Sequence, residues 1–418
     1  MFKKIRILSF IVICFSSNLF GYFPINLFRR YDFNFEIDRV NDERFQLAGL
    51  AGGSVHVNGR NHNGDDVSFL QIFNKDQSAL TMLRGFDLDT EIGQLAALFT
   101  PQNDDGIRGH ILPVADLSVV DAGVMSKFYL PQDFFISFYL PIYSMKFTNL
   151  ELIDQTQSIS PLDFKVKDLL TDNFASVVKS LGGPIIEPWQ KTGIGDLVGV
   201  LQWTKNFVQS KPLLKNVRIN ARVGGTFPTG YKPGLDQFFP IPFGNDGSWG
   251  ILFGGSLGLL WTEHLKGGVD VEFLQIFSHT KERRIKTDKS QMNDLVFLAK
   301  ADSILEPGFM QNYNLYIEAR KLFRGLSFRV AYQHIAQNES RIALLTNEFS
   351  TQIANTAESL QCWSINQLIL DLSYDWTIDG NQCERCVNPY LSLYYKLPFG
   401  GKNSVQMHIA GVALSFNF

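Results

Sequence analysis

Apolar and polar residues alternate along much of this 418-residue chain, most regularly over its last fourteen positions. There the apolar side chains occupy every second position, namely Phe418, Phe416, Leu414, Val412 and Ala410. Small or polar residues fill the positions between them. A period of two places successive side chains on opposite faces of an extended chain. Residues 405–418 are therefore predicted to form a strand with one apolar face.

The same alternation recurs upstream and predicts twelve strands in all. The clearest example is 217–227, where Val217 and Ile219 alternate with Arg218 and Asn220. The predicted strands are residues 45–57, 114–130, 134–147, 193–203, 217–227, 249–261, 269–278, 309–322, 326–336, 363–376, 389–397 and 405–418.

Short turns and long loops alternate between these strands. Turns near residues 131, 264 and 323 fall on one side, and the loops 148–192, 228–246, 283–308 and 337–362 fall on the other. This alternation is typical of bacterial transmembrane barrels, which have short periplasmic turns and longer outer loops. An open sheet edge in hydrocarbon would leave backbone groups unpaired, so such a sheet must close. The predicted fold is an all-β, transmembrane antiparallel β-barrel of about twelve strands, whose long outer loops carry short helices.

Two long segments leave alternatives open within the barrel domain, residues 45–418. Residues 59–109 form either a plug inside the lumen, a long loop, or a further hairpin that would raise the count to fourteen strands. Residues 148–192 form an outer loop with an amphipathic helix. Apolar residues lie at helical spacing there, namely Phe164, Leu169, Leu170, Phe174, Val177, Val178 and Leu181.

The N-terminus predicts export from the cytoplasm. Lys3, Lys4 and Arg6 precede an apolar run over residues 7–15, and the small residue Gly21 follows. This arrangement is typical of a secretory signal peptide, here residues 1–21. Residues 22–44 would then form a periplasmic N-terminal segment ahead of the barrel.

The terminal strand resembles the C-terminal signal of bacterial outer-membrane barrels, in which the final Phe is read by the assembly machinery. The resemblance implies that Phe418, Phe416 and Leu414 form the assembly signal. It also implies the cell outer membrane as the location. The expected partners are the barrel assembly machinery and outer-membrane lipid.

Composition and charge agree with a lipid-facing barrel. The chain has 36 Phe and 34 Gly, and its net charge of −3 gives no indication of nucleic-acid binding. A basic side chain on the lipid face at the midplane costs about 2–4 kcal/mol, so charged residues on the polar parity are expected to face inward. Ten residues are predicted to line the lumen, namely Arg218, Arg222, Asp270, Glu272, Glu318, Arg320, Arg329, Asp371, Asp375 and Lys396.

Three short stretches in the centre of the chain form a set, namely residues 193–196 (GIGD), 227–230 (FPTG) and 247–249 (GSW). Together they resemble an outer-membrane family named for the meta-pathway of phenol degradation. The resemblance covers roughly residues 190–280 and implies a transporter, without naming a substrate. The chain lacks the N-terminal Asn-Pro-Ala motif of the related fatty-acid channels.

Other motifs do not indicate an enzyme or a cofactor. Residues 254–258 (GGSLG) match the nucleophile-elbow pattern, but that motif needs a strand–turn–helix context and here it lies inside an alternating strand. Cys383 and Cys386 are a disulfide candidate, with free thiols and a metal or redox role as alternatives. A second cysteine pair is missing, so no metal site is predicted.

The sequence therefore predicts an outer-membrane channel or transporter that passes small solutes through a narrow polar lumen. The alternative is a structural or surface-interaction barrel that binds a partner through its long outer loops. A twelve-stranded barrel lies between eight-stranded barrels with filled interiors and sixteen-stranded porins with an aqueous channel. We expect Arg218 and Arg222 to form a charge ladder across the lumen with Asp270 and Glu272, and residues 59–109 to restrict the pore.

Overall fold

The computed structural model of the protein describes residues 44–99, 105–323, 325–376 and 388–418. The predicted signal peptide, residues 22–43 of the N-terminal segment, and the pair Cys383 and Cys386 lie outside these residues. The strands that follow are numbered in chain order over the described part.

The strands are β1 (Phe45–Arg60), β2 (Asp66–Val67), β3 (Gln77–Ser78), β4 (His110–Tyr129), β5 (Phe134–Asp154), β6 (Trp189–Ile194), β7 (Leu197–Lys211), β8 (Leu214–Phe227), β9 (Gly250–Thr262), β10 (Leu265–Ile276), β11 (His279–Arg284), β12 (Lys300–Glu306), β13 (Met310–Ala319), β14 (Leu326–Gln337), β15 (Arg341–Leu344), β16 (Trp363–Asp375), β17 (Asn388–Lys402) and β18 (Ser404–Asn417). The α-helices are α1 (Glu91–Ala97), α2 (Pro161–Val166), α3 (Phe174–Ser180) and α4 (Thr351–Ala354). A π-helical turn spans Lys167–Thr171, and 3-10 turns span Phe69–Gln71, Thr81–Leu83 and Glu358–Leu360.

Twelve of these strands form a closed antiparallel barrel, which confirms the predicted fold and strand number. Going round the wall, the order is β1, β18, β17, β16, β14, β13, β10, β9, β8, β7, β5, β4 and back to β1. The barrel closes because β1 pairs on one edge with β18 and on the other with β4. The described residues of this segment, 61–99 and 105–109, contribute only the two-residue strands β2 and β3, and the closed barrel has twelve strands, so the fourteen-strand alternative is wrong.

The outer surface of the barrel is apolar. On β9 the outward residues Ile251, Phe253 and Leu257 are 43–46% exposed, while the inward positions between them carry Leu252, a glycine and a serine. Similar exposed aliphatic and aromatic side chains occur on the other long strands. Among the described residues, no helix is long and apolar enough to cross a membrane.

Phe418 joins the last strand to the first at the barrel seam. Its backbone N–H donates to the Phe45 carbonyl over 2.9 Å, and its carbonyl accepts from the N–H of Arg44 over 3.0 Å. The Phe418 and Phe45 rings lie 5.8 Å apart between centroids. Phe418 therefore connects the last strand to the first strand where the barrel closes.

Deleting Phe418 should lower the folded, heat-modifiable fraction of protein in the outer membrane. The deletion removes these seam hydrogen bonds, each contributing roughly 0.5–1.5 kcal/mol, together with the ring contact. The fraction is measured by gel mobility with and without heating, and Phe418→Tyr serves as the control that keeps the ring and backbone. An unchanged fraction would contradict the predicted assembly role.

The loops opposite the short turns build a folded cap above the barrel. Strands β11, β12 and β15 form a separate antiparallel sheet within it, which the sequence pattern did not predict. Phe297, Leu305, Ile342 and Leu360 form one small buried cluster of this cap. β12 and β15 lie in the predicted loops 283–308 and 337–362, and β11 begins just before the first of them, so both loops contain regular structure.

The helix predicted within the loop 148–192 is confirmed as helical structure but is broken into α2, a π-helical turn and α3. β5 extends to Asp154, so the loop is shorter than predicted. A capping box between Ser160 and Asp163 begins α2. Val166, Leu170, Phe174 and Val178 are buried, whereas Phe164 is 57% exposed, so placing Phe164 on the apolar face is wrong.

Candidate functional site

The ten charged residues predicted to face the lumen all lie on the inner parity of the barrel wall. Arg320 directly follows β13, and the other nine lie on strands. Arg218, Arg320 and Asp375 are partly exposed. The other seven are buried, namely Arg222, Asp270, Glu272, Glu318, Arg329, Asp371 and Lys396.

Arg222 is the centre of one buried ion cluster. Its two terminal nitrogens donate to the two carboxylate oxygens of Asp270 over 2.6 and 2.7 Å. Its Nε donates to Oε2 of Glu272 over 3.2 Å. The three side chains are between 3 and 6% exposed. A bidentate guanidinium–carboxylate pair of this kind is short, strong and fixed in direction.

This cluster lies along the wall, so the predicted ladder across the lumen is wrong for Arg222. Strand β9 separates β8 from β10, and Gly254 is paired with Arg222 on one side and with Glu272 on the other. A Cβ atom at Gly254 would lie 2.3 Å from the Val271 carbonyl oxygen. Glycine on β9 thus leaves the inner surface clear for Arg222 to reach over one strand to its partners.

A second ion cluster surrounds Arg329 on β14. Its Nη2 donates to Oε2 of Glu318 over 2.8 Å, and the Nε of Arg320 lies 3.4 Å from Oε1 of the same carboxylate. The Arg329 guanidinium also lies 5.5 Å from the centre of the Tyr316 ring. On the next strand, Asp371 accepts a hydrogen bond from the Ser392 hydroxyl over 2.6 Å.

Three more charged residues of the described barrel, absent from the predicted set, are buried on the inner face. Asp121 and Lys127 lie on β4, and Lys266 lies on β10. Asp121 and Lys127 stand on the inward parity of a strand that was predicted, so strict counting along residues 114–130 would have found them. The sequence pattern places Lys266 in a turn, because the predicted strand begins at residue 269, whereas β10 begins at Leu265.

Polarity changes along the inner wall. From the periplasmic turn outward, the inner positions of β10 carry Lys266, Gly268, Asp270, Glu272, Leu274 and Ile276. Leu274 and Ile276 belong to a buried apolar cluster that includes Leu252, Met310, Trp363 and Ile365, contributed by strands around the barrel. The inner wall therefore has a charged periplasmic part and an apolar part above it.

The wall is inverted relative to a small soluble barrel, whose interior is filled by side chains and whose surface meets water. Here apolar side chains are exposed on the outside and ion clusters lie inside, which suits a barrel surrounded by lipid. The chain is a β-barrel of the outer membrane.

The outer mouth of this outer-membrane barrel is covered by residues 68–83, called here the mouth segment. Phe69, Leu70, Ile72 and Met82 are at most 3% exposed. They belong to one buried cluster with Val119 of β4 and other inward residues of the wall. A Cβ atom at Gly59 would lie 2.4 Å from Cγ2 of Ile72. The mouth segment therefore packs directly against β1 near its last residue, Arg60.

A Ser–His–Asp grouping occurs in the cap that sequence reasoning missed. The Ser248 hydroxyl is hydrogen-bonded to Nδ1 of His279, and Oδ2 of Asp246 lies 3.9 Å from Nε2 of His279. Burial, together with the Arg283 charge, lowers the pKa of His279 to about 4. Arg283 donates to Nε2 over 2.6 Å, so the ring proton is on Nδ1 and points at the serine. In this arrangement His279 cannot accept the serine proton, and the group is a structural network.

The described residues give no sign of a bound metal. No group of three or more His, Cys, Asp or Glu among them could hold a metal ion. Cys362 is a free cysteine in this part of the chain. The disulfide between Cys383 and Cys386 stays a prediction.

Solved structures of outer-membrane barrels align with nearly the whole chain at low sequence identity. An outer-membrane channel from Pseudomonas putida F1 aligns over 92% of this chain and 100% of that chain, with 10% identity and a TM-score of 0.48. The Ralstonia pickettii toluene transporter TbuX aligns over 91% and 90%, with 12% identity and a TM-score of 0.31. The β-domain of the Bordetella autotransporter BrkA aligns over 90% and 100%, with 9% identity and a TM-score of 0.34.

These similarities concern the barrel fold alone, since proteins of one fold can have unrelated functions. No known protein family matches the chain. No curated protein matches it either. The resemblance to the phenol meta-pathway family therefore stays a prediction.

Proposed function

We propose that this barrel is an outer-membrane channel for small solutes, with a narrow polar path along its inner wall. The observation that carries the proposal is the pairing of buried charges on that wall. Arg222 with Asp270 and Glu272, and Arg329 with Glu318, hold a polar surface where a closed interior would favour apolar packing. Replacing buried ion clusters by apolar residues is often neutral or stabilising, so stability alone does not account for them.

The proposed path is restricted at its outer end. The mouth segment and the apolar cluster around Leu274 and Trp363 lie between the charged wall and the cap. Below them, a cavity of about 230 Å³ remains open at the periplasmic end of the barrel. We therefore propose a channel whose mouth segment acts as a plug, and the lumen-lining role of the ten charged residues belongs to this proposal.

Purified protein reconstituted in planar bilayers should give discrete current steps in KCl. A narrow path with an obstructed mouth predicts steps smaller than those of a sixteen-stranded porin measured in the same bilayer. Heat-denatured protein at the same detergent concentration is the control for leakage. Folded, heat-modifiable protein that inserts without any current and without swelling of sugar-loaded liposomes would overturn the proposed function.

A second candidate function is supported by the cap. Its three-stranded sheet of β11, β12 and β15 has its own buried cluster, and a rigid cap is suited to recognition of a partner. Deleting β11 and β12 with their connection should leave the current intact if the cap serves only partner binding. A changed conductance would place the cap in the solute path instead.

A further inference from the structure

The periplasmic end of the inner wall encloses a cavity that the proposed channel does not by itself explain. It has a volume of about 230 Å³. Its lining comes from the six neighbouring strands β4, β5, β7, β8, β9 and β10 and from short turns, and includes Tyr129, Phe135, Asn216, Arg218, Lys266 and Arg320. This space is large enough for one small organic molecule.

Positive charge dominates the lining of the cavity. Arg218, Lys266 and Arg320 contribute three cations. Among the described lining residues the carboxylate is that of Asp133, which is bound to Lys205 on the wall over 2.7 Å. Glu318 is the cross-strand neighbour of Lys266 and also pairs with Arg329 and Arg320, so this one carboxylate is surrounded by three cations. A concave site lined mainly by one sign of charge concentrates ions of the opposite sign.

Two of these cations, Arg218 and Lys266, lie next to each other on the same side of the cavity, around Gly258 of β9. Gly258 is paired with Arg218 on β8 and with Gly268 on β10. A Cβ atom at Gly258 would lie 3.7 Å from Cβ of Arg218, 3.8 Å from Cε of Lys266 and 3.3 Å from the Tyr316 hydroxyl. The missing side chain thus keeps the space between Arg218 and Lys266 open.

The opposite side of the cavity is aromatic and apolar. Tyr129 and Phe135 line it, and the ammonium group of Lys127 lies 4.6 Å from the centre of the Phe135 ring. Leu260 adds an apolar side chain next to Lys266, its cross-strand partner. A ligand that matches both sides has an anionic group for the guanidinium and ammonium, and a small apolar body for the rings. Guanidinium groups bind carboxylates with directed, paired hydrogen bonds.

We propose that this cavity binds small organic carboxylates with an apolar or aromatic body. The inference rests on the proposed channel function, because the site lies on the proposed solute path. It assigns the class of solute that the path would favour and places the selective step at the periplasmic end. Anions would then pass more readily than cations of the same size.

The test measures benzoate binding to the detergent-solubilised, folded barrel by isothermal titration calorimetry. The wild type should bind benzoate and should not bind benzylammonium, which has the same ring and the opposite charge. In Arg218→Gln/Lys266→Gln the dissociation constant should rise by about tenfold or more, as expected for the loss of charge-assisted hydrogen bonds. The glutamines keep most of the side-chain volume and should preserve the fold.

Lys215→Gln is the matched control, because Lys215 is an exposed cation on the outward parity at the same end of β8. It should bind benzoate within about twofold of the wild type, an effect well under 1.4 kcal/mol. Absence of benzoate binding to the folded wild type, or equal loss in Lys215→Gln, would overturn the assignment. Conductance in KCl is measured separately, so a conducting barrel without benzoate binding would refute the inference and leave the proposed function standing.

Discussion

Replacing Arg222 with methionine should lower the free energy of unfolding of the barrel by about 3–5 kcal/mol, the usual effect of removing one partner from a buried ion pair. The substitution leaves the carboxylates of Asp270 and Glu272 without the guanidinium that binds both of them. Urea titration of tryptophan fluorescence in lipid vesicles measures the change.

A compensating variant separates loss of charge balance from loss of packing. Arg222→Met/Asp270→Asn/Glu272→Gln removes all three charges at once, so most of the stability should return. Lys215→Met, which removes an exposed cation from the same strand, should change stability by less than about 1 kcal/mol. Equal unfolding midpoints for Arg222→Met and the wild type would show that the cluster is hydrated and contributes little.

The period of two predicted the barrel because lipid and lumen impose opposite polarity on the two faces of every strand. All twelve predicted strands are found, and the ten charged residues occupy the inner parity. The side of the wall on which a charged residue lies can be predicted from the alternation alone. An outward Arg222 on β8, for example, would face hydrocarbon.

Partner choice within the wall depends on features that periodicity does not contain. Arg222 reaches Asp270 and Glu272 because Gly254 leaves the surface of β9 clear. The sequence shows that residue 254 is glycine, but it does not show which strands pair with β9 on either side. Strands β8 and β10 are separated only by β9 and are too close along the wall to face each other across the lumen, which is why the predicted ladder is wrong for Arg222.

The cap and the mouth segment were hard to predict for a different reason. Strands β11, β12 and β15 are short and lie within loops, where no lipid face imposes a regular alternation. Residues 68–83 carry their apolar residues at irregular spacing, since they pack against side chains from several directions. The sequence of residues 59–109 is therefore compatible with a plug, a loop or a hairpin, and the twelve-stranded barrel excludes the hairpin.

Placing a carboxylate in the buried part of the mouth segment should open the channel. In Ile72→Asp the new side chain would replace one that is 1% exposed and packs on Gly59. Burying an unpaired charge costs several kcal/mol. A cost of about 3 kcal/mol would shift the balance between the seated and released segment roughly 100-fold. Single-channel conductance and the rate of liposome swelling should both increase strongly.

The fold of the wall should survive this change, because β1 and β4 pair directly from Phe45 to Gly53 without the mouth segment. Leu88→Asp is the matched control, since Leu88 follows the same segment and is 72% exposed; its conductance should equal that of the wild type. Gly59→Ala offers an independent route, because its Cβ atom would lie 2.4 Å from Ile72 and displace the same contact. If Ile72→Asp and Gly59→Ala are folded and conduct like the wild type, the mouth segment does not close the path, and the restriction must lie in the apolar cluster around Leu274 and Trp363.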